Sequence, residues 1–131
     1  MRFYILFLFA TLVASSLSSE EVQWKSCYKK VLVSAYCPCE ICCSKKFSDG
    51  LTATGTDAHI KGVAVDPKLI PLNSRIDVPG YGNWILADDI GGAIEGCHID
   101  IRFKTHQEAI NWGVKTLKIR VWTKIVGVYK K

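Results

Sequence analysis

Apolar and polar positions alternate along several short segments of this chain. In residues 117–126, LKIRVWTKIV, apolar side chains take turns with charged or polar ones at a period of two. This alternation is typical of a strand with one face buried and the other in water. Five further segments are rich in β-branched and aromatic residues, are bounded by turn residues, and are predicted to be strands as well: 28–36, 62–66, 74–78, 84–88 and 97–103.

One helix is marked by signals at both of its ends. Thr105 is followed three residues later by Glu108, the pairing of a capping box, and Gly113 stands where the helix would stop. The residues between Glu108 and Gly113 supply an apolar face. About six short strands and one helix predict an all-β fold, a small closed β-barrel of six strands.

The amino terminus has the layout of a secretory signal peptide. Arg2 precedes an apolar run at 3–14, and small residues follow at 14–19, where a signal peptidase could cut. The run is shorter than the roughly 20 residues that a membrane-spanning helix needs. We therefore expect residues 1–19 to be removed, leaving no stable membrane anchor, and residues 20–131 to form one exported domain, secreted, periplasmic or in the cell wall.

The charge of the chain favours anionic partners. The formal net charge is +5, and removing Arg2 with the signal peptide leaves +4. A modestly basic exported domain suits cell-wall polymers, although ordinary solubility also explains such a charge. No stripe of Arg and Lys interleaved with aromatic residues is present, so nucleic acid is not an expected partner.

Six cysteines remain after the predicted cleavage. An even number in an exported chain indicates disulfides, with 15 possible connectivities. Four of the cysteines, however, crowd into the cysteine-rich loop at 37–50 and could instead surround a zinc ion. Both alternatives stay open. The zinc set would be Cys37, Cys39, Cys42 and Cys43, and the disulfide candidates add Cys27 and Cys97 as partners from outside the cluster.

The strand at 97–103 carries the most informative polar residues. Alternation places Asp100 between His98 and Arg102 on one face, opposite an apolar face that belongs in the core. One interpretation is a solvated polar face with a weak ion pair. The other interpretation is that the Asp100 carboxylate faces a reaction site.

Two further aspartates stand at strand ends. Asp89 ends the strand before Gly91 and Gly92, which leave space for a ligand to approach. Asp66 stands before Pro67 in a similar position, where a simple turn-forming role is the alternative. If the three carboxylates converge, repulsion and partial burial would raise one pKa enough to make a proton donor. The neighbouring Asp88 and Glu95 are expected to be solvated.

Five blocks in unbroken order resemble the 3D (three-aspartate) domain, which is related to the catalytic region of membrane-bound lytic transglycosylase A and to stationary-phase survival proteins. They are TATG at 52–55, GVAVDP at 62–67, IPLNS at 70–74, VPGYG at 78–82 and ADDIGGAIEGCHID at 87–100. The resemblance covers roughly residues 31–126 and implies a double-psi β-barrel. Its three aspartates fall on Asp66, Asp89 and Asp100. Where the family usually has Asp-Thr-Gly-Gly, this chain has Ile90 in place of the threonine.

The resemblance implies a lytic transglycosylase that cleaves peptidoglycan glycan strands and leaves a 1,6-anhydro-muramoyl end. Asp100 would be the single general acid and base, with Asp89 and Asp66 tuning it and holding the substrate. No cofactor is expected, and the protein is expected to be a monomer. The residues expected to bind substrate are Thr52, Thr54, Gly91, Gly92, His98 and Tyr81.

Two functions other than catalysis remain open. The domain could bind wall glycan without cutting it, as expansins do with a similar barrel, or serve as a structural protein of the envelope.

Tyr81 is expected to be exposed for stacking on a sugar. The core is expected to hold Trp84, Trp112 and Trp122, and His59 and His106 are expected to be structural.

Overall fold

The computed structural model describes residues 22–43 and 49–126. The predicted signal peptide at 1–19 and part of the cysteine-rich loop lie outside these residues. The described elements are β1 (Gln23–Tyr36), β2 (Val63–Ala64), β3 (Arg75–Val78), β4 (Gly82–Asp89), β5 (His98–Arg102), α1 (His106–Trp112) and β6 (Lys115–Ile125).

The six strands close into a barrel in the order β1-β5-β2-β4-β3-β6. Strand β1 runs parallel to β5, and β2 runs parallel to β4, whereas the remaining neighbours are antiparallel. The predicted fold class is therefore confirmed: a six-stranded double-psi β-barrel with one short helix and a cysteine cluster.

The barrel interior is filled by the apolar face of each alternating strand. In β6, for example, Ile119 and Val121 are buried while the residues between and beside them are more exposed. Strand β1 contributes Val31 and Val33 in the same way. The period-two pattern of the sequence therefore identifies the core positions.

Strand β1 begins five residues earlier than the predicted start at Tyr28. It forms an antiparallel ladder with β6 that extends from Gln23, opposite Ile125, to Val33, opposite Lys115. This long pairing holds an exposed and polar segment in strand conformation, which local composition alone did not indicate.

Helix α1 begins at the predicted capping box. The Thr105 hydroxyl accepts a hydrogen bond from the Glu108 N–H, and the Glu108 carboxylate accepts one from the Thr105 N–H. Trp112, the last residue of the helix, packs against the core as expected. Among the described residues, no helix has the length and apolar character needed to cross a membrane.

The prediction that Trp84 and Trp122 lie in the core is wrong. Trp122 is partly buried but is not packed against the core cluster. The Trp84 side chain is 43% exposed and packs edge-to-face against Trp24 and Trp122, with ring centroids 4.9 and 5.5 Å away. The Trp84 backbone has a φ of 59°, in the left-handed region, and its N–H donates to Asp77. This irregular backbone interrupts the strand alternation on which the prediction depended.

Candidate active site

Asp89 and Asp100 face a common cleft because their strands flank the short strand β2. Ala64 of β2 is in register with Asp89 of β4 on one side and with Asp100 of β5 on the other. Residues opposite one another in a ladder point to the same face of the sheet. The two carboxylates therefore lie on either side of Ala64, whose methyl group leaves the space between them open.

A bulge in β4 determines which of two adjacent aspartates reaches this cleft. Val63 pairs with Ala87, but the next residue, Ala64, pairs with Asp89, so Asp88 is an extra residue in the ladder. Bulges commonly re-aim side chains in this way. Asp88 is buried, and the prediction that it is solvated is wrong. Glu95, by contrast, is exposed as expected.

The buried Asp88 carboxylate is paired with Arg102. The Arg102 Nη1 and Nη2 atoms donate to the two carboxylate oxygens over 3.0 and 2.8 Å, and Nε donates to the carbonyl of Ile60. The Arg102 side chain is only 1% exposed. The alternation predicted that Arg102 shares an open polar face with Asp100, and this prediction is wrong. Residues 60–62 cover this end of β5 and bury the Arg102 side chain.

Gly62 makes room for this ion pair. A Cβ atom at that position would lie 2.0 Å from Arg102 Nη2 and 2.6 Å from Asp88 Oδ1. Its φ is not in the left-handed region, so the requirement for glycine is steric rather than conformational. The close approach of the backbone seals the guanidinium from water.

Tyr36 connects the buried ion pair to the cleft. Its hydroxyl accepts a hydrogen bond from Arg102 Nη1 over 3.0 Å and donates one to Asp89 Oδ2 over 2.8 Å. Burial raises the pKa of Tyr36 far above its ordinary value, so the phenol remains a neutral donor. The other Asp89 oxygen accepts from the backbone N–H groups of Ala53 and Ile90, each at 3.0 Å. Three donors therefore orient the Asp89 carboxylate.

Asp100 is the carboxyl group in this cleft whose environment favours protonation. Burial raises its pKa from 3.8 to about 6, and the nearby charge of Asp89 adds to the rise, whereas a hydrogen bond from Ser34 and the charge of His98 oppose it. The Ser34 hydroxyl lies 3.1 Å from Asp100 Oδ1 and 2.7 Å from His98 Nε2. Asp100 can therefore both give and take a proton near neutral pH.

The cleft has a volume of about 640 Å³, within the range of small-molecule binding sites. Five of the predicted site residues line it: Asp89, Asp100, Thr52, Gly91 and Gly92. The other lining residues include Tyr36, Ala64, Cys42 and Cys43. The structure therefore brings together two of the three aspartates with the paired glycines and one threonine.

Asp66 is not among the residues that line the cleft. Its two oxygens accept hydrogen bonds from the backbone N–H groups of Gly96 and Lys68, at 2.9 and 3.0 Å, and these bonds lower its pKa. The Gly96 contact connects the turn after β2 to residues 90–97, the loop between β4 and β5, which we call the glycine loop. Asp66 is thus placed to position this loop.

Three predicted substrate-binding residues also lie away from the cleft lining. Thr54 contacts Thr52 and Thr56 within a tight turn, and His98 contacts Ser34, which also contacts Asp100. The prediction that Tyr81 is exposed is wrong: its ring is buried, and its hydroxyl donates to the Arg102 carbonyl over 2.6 Å. The Tyr81 ring turns inward, where its hydroxyl forms hydrogen bonds with the backbone of Gly62 and Arg102.

Sequence reasoning missed Ser34 and Tyr36. Both lie near the end of β1, and Ser34 is in register with Asp100 of the parallel strand β5. The sequence contained only a weak indication of them: two residues with hydroxyl groups, two positions apart, near the end of an otherwise apolar strand. Only the pairing of β1 with β5 reveals that they face the aspartates.

The structure does not support the predicted disulfides. All six cysteines are free, with no pair at bonding distance. Leu32 of β1 is in parallel register with His98 of β5, and the Leu32 N–H donates to the Cys97 carbonyl. Cys97, the residue before His98, therefore lies beside Val31. At about 3.3 Å per strand residue, Cys97 is roughly 13 Å from Cys27 and 20 Å from Cys37. A disulfide requires Cα atoms within about 7 Å.

Three cysteines of the cluster instead surround a histidine. The sulfur atoms of Cys37, Cys39 and Cys42 and a ring nitrogen of His106 all lie within 4.8 Å of one another. Cys43 is not part of this group, since its sulfur points to the Cys37 carbonyl at 3.5 Å. The set of four cysteines considered from the sequence is therefore corrected: His106 takes the place of Cys43.

Comparison with known proteins finds relatives that are similar to part of this chain. Cell wall-binding protein YocH of Bacillus subtilis (strain 168) is 47% identical over 76 residues, which cover 55% of this chain and 26% of that protein. "Putative cell wall shaping protein YabE" of the same organism is 45% identical over 76 residues, covering 55% of this chain and 18% of that protein. This chain thus spans about a quarter or less of the length of these relatives.

A solved structure and a family model match as well. The crystal structure of MltA from E. coli matches with a TM-score of 0.44 and 24% sequence identity, covering 57% of this chain and 28% of that chain. The family model of the 3D domain matches residues 61–123, a stretch that contains Asp66, Asp89 and Asp100. The resemblance noted in the sequence is confirmed by this match of residues 61–123 to the family model of the 3D domain.

Proposed function

We propose that this protein is a peptidoglycan lytic transglycosylase that cleaves the bond between N-acetylmuramic acid and N-acetylglucosamine. Asp100 is the general acid and then the general base. The observation that carries the proposal is an Asp100 carboxyl group with a pKa raised to about 6, in a cleft of about 640 Å³ that also contains Asp89.

The raised pKa of Asp100 suits the first step of this reaction. A general acid works best when its pKa lies near the working pH, because it is then both present in the acid form and willing to give up its proton. The Asp100 carboxyl group protonates the glycosidic oxygen, and the bond between that oxygen and C1 of the muramoyl residue breaks. Positive charge develops at C1, as in other glycosidic cleavages.

The second step closes a ring within the product. The C6 hydroxyl of the same muramoyl residue attacks C1, and the Asp100 carboxylate takes the proton released from that hydroxyl. Asp100 returns to its starting form, the product carries a 1,6-anhydro ring, and no water is consumed. One carboxyl group therefore suffices for both proton transfers, unlike the paired carboxylates of most hydrolases.

Asp89 has a supporting role in this scheme. Tyr36, Ala53 and Ile90 orient its carboxylate toward the cleft. A carboxylate held across Ala64 from Asp100 stabilises the positive charge at C1 electrostatically, and it needs no reorientation during the reaction. Asp89 also helps to raise the pKa of Asp100.

The other predicted residues position the substrate or the cleft walls. Thr52, Gly91 and Gly92 line the cleft directly, and Gly92 leaves open space where a side chain would otherwise stand. Asp66 acts on the substrate indirectly, through the glycine loop that it holds at Gly96. His98 acts through Ser34, which it contacts at 2.7 Å.

The names of the relatives support a site of action in the cell wall. One is called a cell wall-binding protein. With the signal peptide predicted at 1–19, this supports export of a protein that acts on peptidoglycan glycan strands outside the cytoplasm, and we propose that it acts there as a monomer.

A second function is favoured by the name of that same relative. A barrel that binds wall glycan without cutting it would also use an open cleft of this size. In that case the raised pKa of Asp100 would have no chemical role.

Digestion of peptidoglycan distinguishes these functions. Purified protein is incubated with sacculi, and the released fragments are analysed by mass spectrometry. Anhydro-muropeptides support the transglycosylase. Fragments with reducing ends would instead identify a hydrolase, and protein that only sediments with intact sacculi would identify a binding module.

A further inference from the structure

We propose that Cys37, Cys39, Cys42 and His106 bind one structural Zn²⁺ ion, which fastens the cysteine-rich loop to the start of helix α1. The four side chains come from two places far apart in sequence, and the fold brings them together. Nothing in the proposed transglycosylase reaction uses them.

The spacing of the four ligand atoms suits a tetrahedral metal site. Cys37 Sγ lies 2.8 Å from Cys39 Sγ and 3.1 Å from Cys42 Sγ. His106 Nδ1 lies 3.2 Å from Cys42 Sγ and 3.9 Å from each of the other two sulfurs. Zn–S and Zn–N bonds of about 2.3 and 2.0 Å place tetrahedral ligand atoms about 3.6–3.8 Å apart. Shifts of at most about 1 Å would therefore produce ideal coordination.

The chemistry of the four ligands selects zinc. Thiolates favour soft metals, and tetrahedral sites of sulfur and nitrogen are typical of zinc. Cys39 and Cys42 have the two-residue spacing of zinc-binding loops. Four protein ligands fill the coordination sphere and leave no position for water or substrate. The site is therefore structural rather than catalytic.

The position of the site explains what the ion would stabilise. Cys37 follows directly after the last residue of β1, and His106 is the first residue of α1. The Phe103 N–H donates to the Tyr36 carbonyl over 2.8 Å, which brings these two chain segments together. Cys42 and Cys43 line the cleft that contains Asp89 and Asp100. The ion would thus fix one wall of that cleft.

Cys43 is a matched control within the same loop. It is adjacent to a proposed ligand and also partly buried, but its sulfur contacts the Cys37 carbonyl rather than the other sulfurs. Replacing Cys43 removes one thiol from the cluster and no ligand. The rival to zinc is a disulfide between two of Cys37, Cys39 and Cys42.

The test measures metal content and does not depend on enzymatic activity. The full chain is purified without a metal-binding tag, and its zinc is determined by mass spectrometry of the element, with free thiols counted in parallel. We expect one zinc per chain. Exchange for Co²⁺ should give the absorption of a tetrahedral site with thiolate ligands, and a chelator should lower the melting temperature.

Variants identify the ligands. Cys43→Ser should retain one zinc, whereas Cys42→Ser and His106→Ala should each bind zinc at least about 100-fold more weakly in competition with a chelator. Wild-type protein without zinc, or with a disulfide among the three cysteines, would overturn the proposal. Loss of zinc in Cys43→Ser with retention in His106→Ala would also overturn it. If a variant fails to fold, the zinc content and cobalt spectrum of the wild-type protein still decide the question.

Discussion

The guanidinium of Arg102 and the carboxylate of Asp88 form two hydrogen bonds, 2.8 and 3.0 Å long, in a buried pocket beside the cleft. Arg102 also donates to Tyr36, which in turn donates to Asp89. The buried ion pair therefore supports the orientation of a carboxylate in the candidate active site. Its geometry is bidentate, the arrangement that best compensates the cost of burying two charges.

Removing one partner of this pair should be strongly destabilising. Asp88→Asn leaves the Arg102 guanidinium buried without a countercharge, and we expect a loss of about 3–5 kcal/mol in the free energy of unfolding. Asp57→Asn is the control, because Asp57 pairs with His59 where both side chains are more than half exposed. That change should have little effect on the free energy of unfolding, because exposed ion pairs contribute little to stability. Denaturant unfolding measures both, and equal effects would contradict the importance of burial.

Gly62→Ala should disturb the same ion pair without altering its charges. The new methyl group would lie within 2.6 Å of three Arg102 and Asp88 atoms, so the guanidinium must move. We expect a destabilisation of roughly 2–4 kcal/mol, as for other severe steric changes in a packed interior. For Gly92→Ala nothing lies within 4 Å of the added atom, and stability should be nearly unchanged. Thermal unfolding of the two variants gives the comparison.

Asp100→Asn should abolish the release of anhydro-muropeptides, because the amide cannot transfer the proton. A loss of about 10²–10⁴-fold is expected for removal of a general acid. Glu95→Gln, which neutralises an exposed carboxylate of the glycine loop, should leave release close to wild type. Retained activity in Asp100→Asn would refute the role of this residue.

The same substitution should stabilise the folded protein at neutral pH. Since the pKa of Asp100 rises from 3.8 to about 6 on folding, the folded state holds its proton more tightly than the unfolded state does. Stability from this group is complete below pH 3.8 and is lost as the pH rises to about 6. Asp100→Asn should therefore gain about 1–3 kcal/mol at pH 7 and little at pH 3.5. Urea unfolding at the two pH values tests the sign.

The pH dependence of cleavage should report the pKa of Asp100. In the free enzyme, kcat/KM should fall about tenfold per pH unit above pH 6, as the acid form is depleted. Ser34→Ala removes a hydrogen bond that lowers this pKa, so the falling limb should move to higher pH. Asp89→Asn removes a charge that raises it, and the limb should move to lower pH. Shifts in the same direction for both variants would contradict the assignment.

Local patterns were sufficient to predict the elements, whereas the resemblance to the 3D domain singled out three aspartates, of which Asp89 and Asp100 lie in the cleft. Alternation in 117–126 predicted β6, and the Thr105 and Glu108 pairing predicted the start of α1. The errors include the predicted places of Asp88, Arg102, Tyr81, Trp84 and Trp122, whose surroundings come from segments distant in sequence. Alternation assigns each residue to a face of its strand, but it does not reveal what covers that face.

The sequence by itself determined the individual strands and the helix, because period-two alternation, turn residues and capping residues act locally on each element. Tertiary structure alone decided which aspartate reaches the cleft. A single bulge at Asp88 turns its carboxylate inward to Arg102 and leaves Asp89 facing Asp100 across Ala64. The fold alone also brought His106 to three cysteines more than sixty residues away in sequence. Such pairings depend on how strands close into a barrel, and no local pattern encodes that closure.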